Sequence, residues 1–464
     1  MSTTIPAFLE NFWEKEILPT LSEYIRIPNK SVHFDPDWHR NGHMDRAIEL
    51  IADWCRRHPL PGMTLQVHRI DERTPVLLVD VAGNGKSNTL IYGHLDKQPE
   101  FTGWAEGLAP WEAVRRGDRL YGRGGADDGY AIFAAFAAVH WLLEQKREFG
   151  RIVILIECSE ESGSPDLPAY MQALSPQIGK PELVIALDSM CGNYEQLWCT
   201  TSLRGNMLGL LKVDVLSEGV HSGAASGIVP SSFRIVRELL DRIENSNTGE
   251  ILPGYLKAPI PTHRVAEAAQ AADILGDEIV SAYPFVPGMA PVTYDYCEQL
   301  LNNTWRTTLC VTGVDGIPSL ASAGNTLRPY TLLKLSLRLP PNVDAKPAAE
   351  QLKKTLEYNP PYNAKVSFEI TGADNGWNAP TSTPKLNAQL HEISERYFGK
   401  PAAHYGCGGT IPFMRMLSDS MPEAQFVITG VLGPHSNAHG PNEFLHIPMV
   451  KKITACVADL LANR

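Results

Sequence analysis

His94 and Asp96 stand two apart in Gly93-His94-Leu95-Asp96, directly after an apolar run. If that run is a strand, both side chains share one face, and an imidazole and a carboxylate can reach one cation. Gly122 to Gly129 is a glycine-rich loop ahead of a helix, with Asp127 and Asp128 side by side. It could cradle phosphate at a helix N-terminus, or form a turn capped by either aspartate. The paired carboxylates repel phosphate unless a metal intervenes, and neither nucleotide-loop spacing is present. Glu160 and Glu161 follow a second apolar run, where one can bind metal and the other take a proton. Asp188 closes a third such run. Of the two histidines in the Gly/Pro loop from His435 to Glu443, His439 is the better ligand candidate. Alone, each feature has an ordinary structural explanation. Together, His94, Asp127, Glu161, Asp188 and His439 supply two imidazoles and three carboxylates, a set that suits zinc, with manganese or cobalt possible.

These groups need elements that bring them together. Residues 8–25 and 44–55 carry helical apolar spacing, and 128–144 reads as a long helix rich in alanine. Short β-rich runs occupy 64–67, 76–81 and 89–92. The unbroken apolar runs 152–156 and 183–187 look like buried parallel strands. Alternating strands and helices imply an α/β domain, and ligands of open α/β sheets gather at the carboxyl ends of strands. The character changes near Ser202. Strands at 208–215, 332–339 and 364–370, with helices at 231–243 and 345–356, suggest an inserted α+β unit around a long Pro-rich middle stretch. The α/β pattern returns with a helix at 384–397 and a strand at 425–429. The expected division is 1–203 and 377–464 for the α/β domain, and 204–376 for the insertion.

The chain has 464 residues, with 52 acidic and 41 basic side chains and a formal net charge of -11. That balance argues against a general nucleic-acid binder. An apolar share of 44% with 20% charged residues excludes disorder as the main state. No apolar run approaches the roughly 20 residues of a bilayer helix. The acidic start, with Glu10, Glu14 and Glu16, is unlike a secretory signal. Eight scattered cysteines form no CxxC pair and no disulfide framework, so a cytoplasmic enzyme is expected.

The ordered set Gly93–Asp96, Gly122–Gly129, Glu160–Ser164, Leu187-Asp188 and His439–Glu443 resembles the M20 metallopeptidases, above all their dinuclear-zinc dipeptidase and carnosinase-like branch. The resemblance implies a zinc-exopeptidase-like mixed sheet flanked by helices, with an inserted α+β lid and dimerisation domain. It implies two zinc ions bridged by Asp127 and a water, one completed by His94 and Asp188 and the other by Glu161 and His439. Asp96 would orient His94, Glu160 would be the general base, and Asp127–Asp128 would be a cis peptide. In the insertion, Val220-His221-Ser222-Gly223 resembles the motif whose histidine reaches the partner subunit of a homodimer to stabilise the oxyanion. Arg338 would grip the substrate carboxylate. Asn325 or Thr326, and Thr410, would hydrogen-bond substrate. Lys97 departs from the small apolar residue of many relatives and is expected to place a charge near the rim. The implied reaction is hydrolysis of a short peptide, or alternatively of an N-acyl amino acid. An inactive peptidase scaffold that only binds, and a nucleotide binder using the glycine loop, are rivals of other classes.

Overall fold

The runs that read as buried parallel strands lie at the centre of a six-stranded sheet in the computed structural model, which describes residues 5–462. Its strand order is Thr64–His68, Val76–Val81, Arg151–Glu157, Asn88–His94, Leu183–Ala186 and Gln425–Ile428. The last four run parallel to one another, while Val76–Val81 is antiparallel to both of its neighbours. The sheet is therefore mixed, as expected, and its four parallel strands finish on one edge.

Period-two alternation divides these strands between two cores. Ile91, Ile152, Ile154 and Ile156 pack with the helix Ala131–Glu144, whose alanines are all buried. Leu90, Tyr92, Val153 and Leu155 face the other way, against Leu167, Tyr170 and Leu174 of the helix Leu167–Ile178. The long helix begins at Ala131 rather than at Asp128, after a turn over Gly125–Gly129. Asp128 does not cap it; its Oδ2 accepts the His94 backbone N–H at 3.2 Å. The Asp127–Asp128 peptide is cis, as the resemblance implied.

In the middle of the chain, Thr308–Asp315, Tyr330–Leu339, Gly205–Asp214 and Lys365–Asp374 form a four-stranded antiparallel sheet in that order. Every second residue of Gly205–Asp214 is buried, which places Met207, Leu211 and Val213 in a separate core under the helices Ser232–Leu240 and Ala345–Glu357. The Pro-rich stretch contains two helices that the sequence pattern did not announce, Thr262–Leu275 and Tyr296–Thr304. They pack on Ala403–Cys407, an outer strand paired with Trp198–Leu203, whose other neighbour is Trp377–Asn378. Arg264 fixes this contact by donating to Asn378 Oδ1 at 3.0 Å and to the Ala379 carbonyl at 2.7 Å. No helix among the described residues is long and apolar enough to cross a membrane.

Candidate metal centre

Each group in the centre owes its position to a strand end or a loop beside one. His94 ends Asn88–His94, in register with Glu157 at the end of the neighbouring strand. Glu160 and Glu161 follow Glu157 in a 3-10 turn, Glu160–Ser162. Asp188 comes two residues after Leu183–Ala186. Asp127 sits in the turn before the long helix, and His439 in the loop between Gln425–Ile428 and Phe444–His446. Gly93 allows this convergence: a Cβ there would lie 2.7 Å from both Ala131 Cβ and Asp128 Oδ2.

Asp127 lies between the two histidines. Its Oδ1 is 3.4 Å from His94 Nε2, and its Oδ2 is 3.1 Å from His439 Nε2. Asp188 Oδ1 stands 3.9 Å from His94 Nε2, and Glu161 Oε2 stands 3.2 Å from His439 Nε2. Two trios result, His94–Asp127–Asp188 and Asp127–Glu161–His439, each with ligand atoms within 4.8 Å of one another. The Nε2 of His94 is buried without a hydrogen-bond partner, and it faces two carboxylates. That is the environment a divalent cation fits, with imidazole and carboxylate donors of the kind zinc takes.

The electrostatics point the same way. Burial pushes Asp188 up to about 6 and Glu161 up to about 8, with Asp127 adding to both. Burial would also raise Asp127, but the two histidines outweigh it and hold that carboxyl well below its usual range. Burial opposes the charge on His439, yet Asp127 and Glu161 lift its imidazole to about 9. Burial thus disfavours the charged forms of Asp188 and Glu161, while the two rings favour the charged form of Asp127. A cation would favour the charged form of all three.

Asp96 is buried and works through the backbone as well as beside the ring. Its two carboxylate oxygens accept the Glu160 and Glu161 N–H groups, each at 3.0 Å. Its Oδ1 is 3.4 Å from His94 Nδ1, which also lies 3.1 Å from the Asp96 carbonyl. One aspartate thus orients the ring and fixes the glutamate turn, a supporting function typical of metal centres. Glu157 braces the turn from behind, accepting from Tyr92 at 2.6 Å, Ser164 at 2.7 Å and Ser159 at 3.0 Å.

A cleft of about 2680 Å³ opens from Asp127, Glu160 and Asp188 towards the insertion. Thr410 lines it, and Arg338 donates to Thr410 Oγ1 at 2.8 Å. His221, Asn325 and Thr326 do not line it. They meet on a two-stranded ribbon, with His221 opposite Thr326 and Ser222 N–H donating to the Asn325 carbonyl at 2.9 Å. His221 is exposed there, and its Nδ1 accepts the Ala224 N–H at 3.3 Å.

Lys97 is not at the rim. It is wholly buried, and its Nζ donates to the carbonyls of Tyr24 at 2.7 Å and Ile27 at 2.8 Å. These are among the last carbonyls of the helix Leu18–Ile25 and its exit, where a cation is favoured. Gly124, at φ +81°, leaves room for the lysine stem, since a Cβ would lie 2.6 Å from Lys97 Cγ. Sequence reasoning also passed over Arg204, which lines the cleft and donates to the Gly408 carbonyl at 3.2 Å and Thr308 Oγ1 at 3.1 Å. Burial, with Arg338 nearby, pushes its guanidinium down to about 10. An arginine between a strand and a glycine carries no signal in sequence; burial in the cleft distinguishes it.

An α/β sheet with two ligand trios at its strand ends defines a class of metal-dependent hydrolases. The sequence model of peptidase family M20/M25/M40 matches residues 90–463, and the chain belongs to that family. The cysteinylglycine-S-conjugate dipeptidase of Corynebacterium striatum is 23% identical, over 96% of this chain and 95% of its own. The human beta-Ala-His dipeptidase is 23% identical, over 98% of this chain and 93% of its own. Among solved structures, the dipeptidase Dug1p of Saccharomyces cerevisiae has a TM-score of 0.76 at 20% identity, over 99% of this chain and 98% of its own.

Proposed function

We propose that this protein hydrolyses the peptide bond of dipeptides and other short peptides, with two divalent cations held by His94, Asp127 and Asp188 and by Asp127, Glu161 and His439. The observation that carries this reading is the position of Asp127, which turns one oxygen to each imidazole. Zinc suits the donors, with manganese or cobalt as substitutes. When bound, such ions polarise a carbonyl and lower the pKa of water from about 15.7 towards 7.

The remaining work falls to the chain. Glu160 belongs to neither trio but lines the cleft beside Asp188. Burial, and then Asp188, hold its carboxyl well above the usual range, the direction in which enzymes tune a carboxylate for proton transfer. It takes a proton from the attacking water and returns it to the leaving amine. Asp96 keeps Glu160 and Glu161 in place through their backbone N–H groups. Arg338, steadied by Thr410, pairs with the substrate's terminal carboxylate as a guanidinium fork does.

The insertion, 204–376, acts in this reading as lid and dimerisation unit. Its outer strand Thr308–Asp315 is a sheet edge that exposes Val311 and Val314, and Leu320 beyond it is also exposed. An apolar edge of this kind calls for a partner, here a second copy. A homodimer would carry His221, with Asn325 and Thr326, to the other subunit's cleft to hold charge on the carbonyl oxygen. Eight unbridged cysteines are in keeping with a cytoplasmic location. The N-acyl alternative is not favoured, because relatives that match over nearly the whole chain are dipeptidases.

The test is chelation with EDTA, re-addition of zinc, and a panel of dipeptides beside N-acyl amino acids. Zinc-restored cleavage of dipeptides is expected. Cleavage that survives chelation, or preference for N-acyl amino acids, would overturn the proposal.

A further inference from the structure

Four of the five candidate ligands are anchored by strand ends or by the start of the long helix. His439 is not: its loop runs between two short strands, with His435, Asn437, His439 and Asn442 all at positive φ. A buried ion pair joins this loop to the loop that carries Asp127. Arg123 Nη1 donates to Glu443 Oε2 at 2.5 Å, and the two side chains are 1% and 0% exposed. Glu443 Oε1 accepts the Gly124 N–H at 2.9 Å, and the Glu443 carbonyl accepts the Gly122 N–H at 3.0 Å. Arg123 Nη2 donates to the carbonyl of Gly440, the residue after His439, at 2.8 Å, and its Nε to the Pro99 carbonyl at 3.2 Å.

Neither side chain lines the cleft, so neither meets substrate. A buried ion pair contributes little net stability against well-packed apolar residues. It does impose direction, since the Glu443 carboxylate accepts a backbone N–H of the loop that carries Asp127, and Arg123 donates to a backbone carbonyl of the loop that carries His439. The strands that hold His94 and Asp188 make no use of it.

We propose that the Arg123–Glu443 pair is a positioning device for His439. It sets the separation of His439 from Asp127, and so controls the affinity of the Asp127–Glu161–His439 trio in preference to the His94–Asp127–Asp188 trio. The inference rests on reading the two trios as a dinuclear centre.

The test is calorimetric titration of Zn2+ into metal-stripped full-length protein, for wild type, Glu443→Gln and Arg123→Lys, with bound zinc counted afterwards. Wild type should bind two ions. Each variant should keep one ion at wild-type affinity and bind the other about ten- to a hundredfold more weakly, the range typical of groups that support metal ligands. If Glu443→Gln does not fold, Arg123→Lys carries the same reading. Two ions in wild type, with both weakened alike or neither weakened in the variants, overturn this inference alone. A lowered melting temperature with both affinities unchanged does so too, because it leaves only a structural role. A wild type that binds a single ion overturns the dinuclear reading, and this inference with it.

Discussion

The strand ends and the insertion solve different problems. At the strand ends, the carboxylates of Asp96, Asp127, Asp128 and Asp188 are buried close to His94, and Asp96 and Asp127 are each held by more than one contact. In the insertion, His221 is exposed on a two-stranded ribbon, and Arg338 has one side-chain hydrogen bond, to Thr410. The first region crowds buried charged groups together at one end of a cleft. The second presents its polar groups to whatever arrives. In the proposed reading, the first region does the chemistry and the second recognises substrate.

Breaking the first region should cost most. Glu160→Ala is expected to lower kcat by about 10²–10⁴-fold, the usual share of general acid–base catalysis, with zinc content unchanged. Zinc analysis beside single-substrate kinetics checks it, and near-normal turnover would remove Glu160 from its role. On the insertion side, His221→Ala should cost about 10²–10³-fold, as loss of an oxyanion donor does. Mixing and reassembling subunits of His221→Ala and Glu160→Ala should restore activity, because one hybrid cleft then has both groups. No recovery would leave the His221 ribbon without a part in the partner's cleft.

Arg338→Ala should raise KM about 10–100-fold, the worth of a hydrogen bond to a charged group at roughly 1.5–3 kcal/mol. The effect should be confined to dipeptides with a free terminal carboxylate; an equal effect on amidated ones would contradict it. The smallest expected effect is on stability. Burial, and then Asp96, push Glu157 from 4.5 up to about 7. The folded protein then binds a proton that the unfolded chain releases, so stability present below pH 4.5 is lost as pH rises towards about 7. Urea melts of metal-free protein should show that fall in wild type and a flatter profile in Glu157→Gln. Parallel profiles would mean that the Glu157 network is not what holds the glutamate turn.

Much of the strand-end side was legible because its residues have narrow physical meaning. Unbroken apolar runs followed by His94, Glu160–Glu161 and Asp188 give both a buried parallel strand and the polar group that must emerge at its end. The helices at 262–275 and 296–304 were not legible. The first is alanine-rich with little sidedness, the second is short, and both owe their place to packing on Ala403–Cys407. Lys97 was misplaced for a related reason. A lysine beside a polar motif reads as solvated until the carbonyls that surround it are known.

Residue types and their order sufficed to determine the mixed α/β class, the five groups suited to a divalent cation and the family, because strand periodicity and ligand chemistry are local properties. Tertiary structure alone decided which oxygen of Asp127 faces which ring, that Lys97 closes a helix end, and that Arg123 and Glu443, 320 positions apart, join two loops. Those facts depend on distances between segments remote in the chain, and such distances are set by packing and the burial of charge.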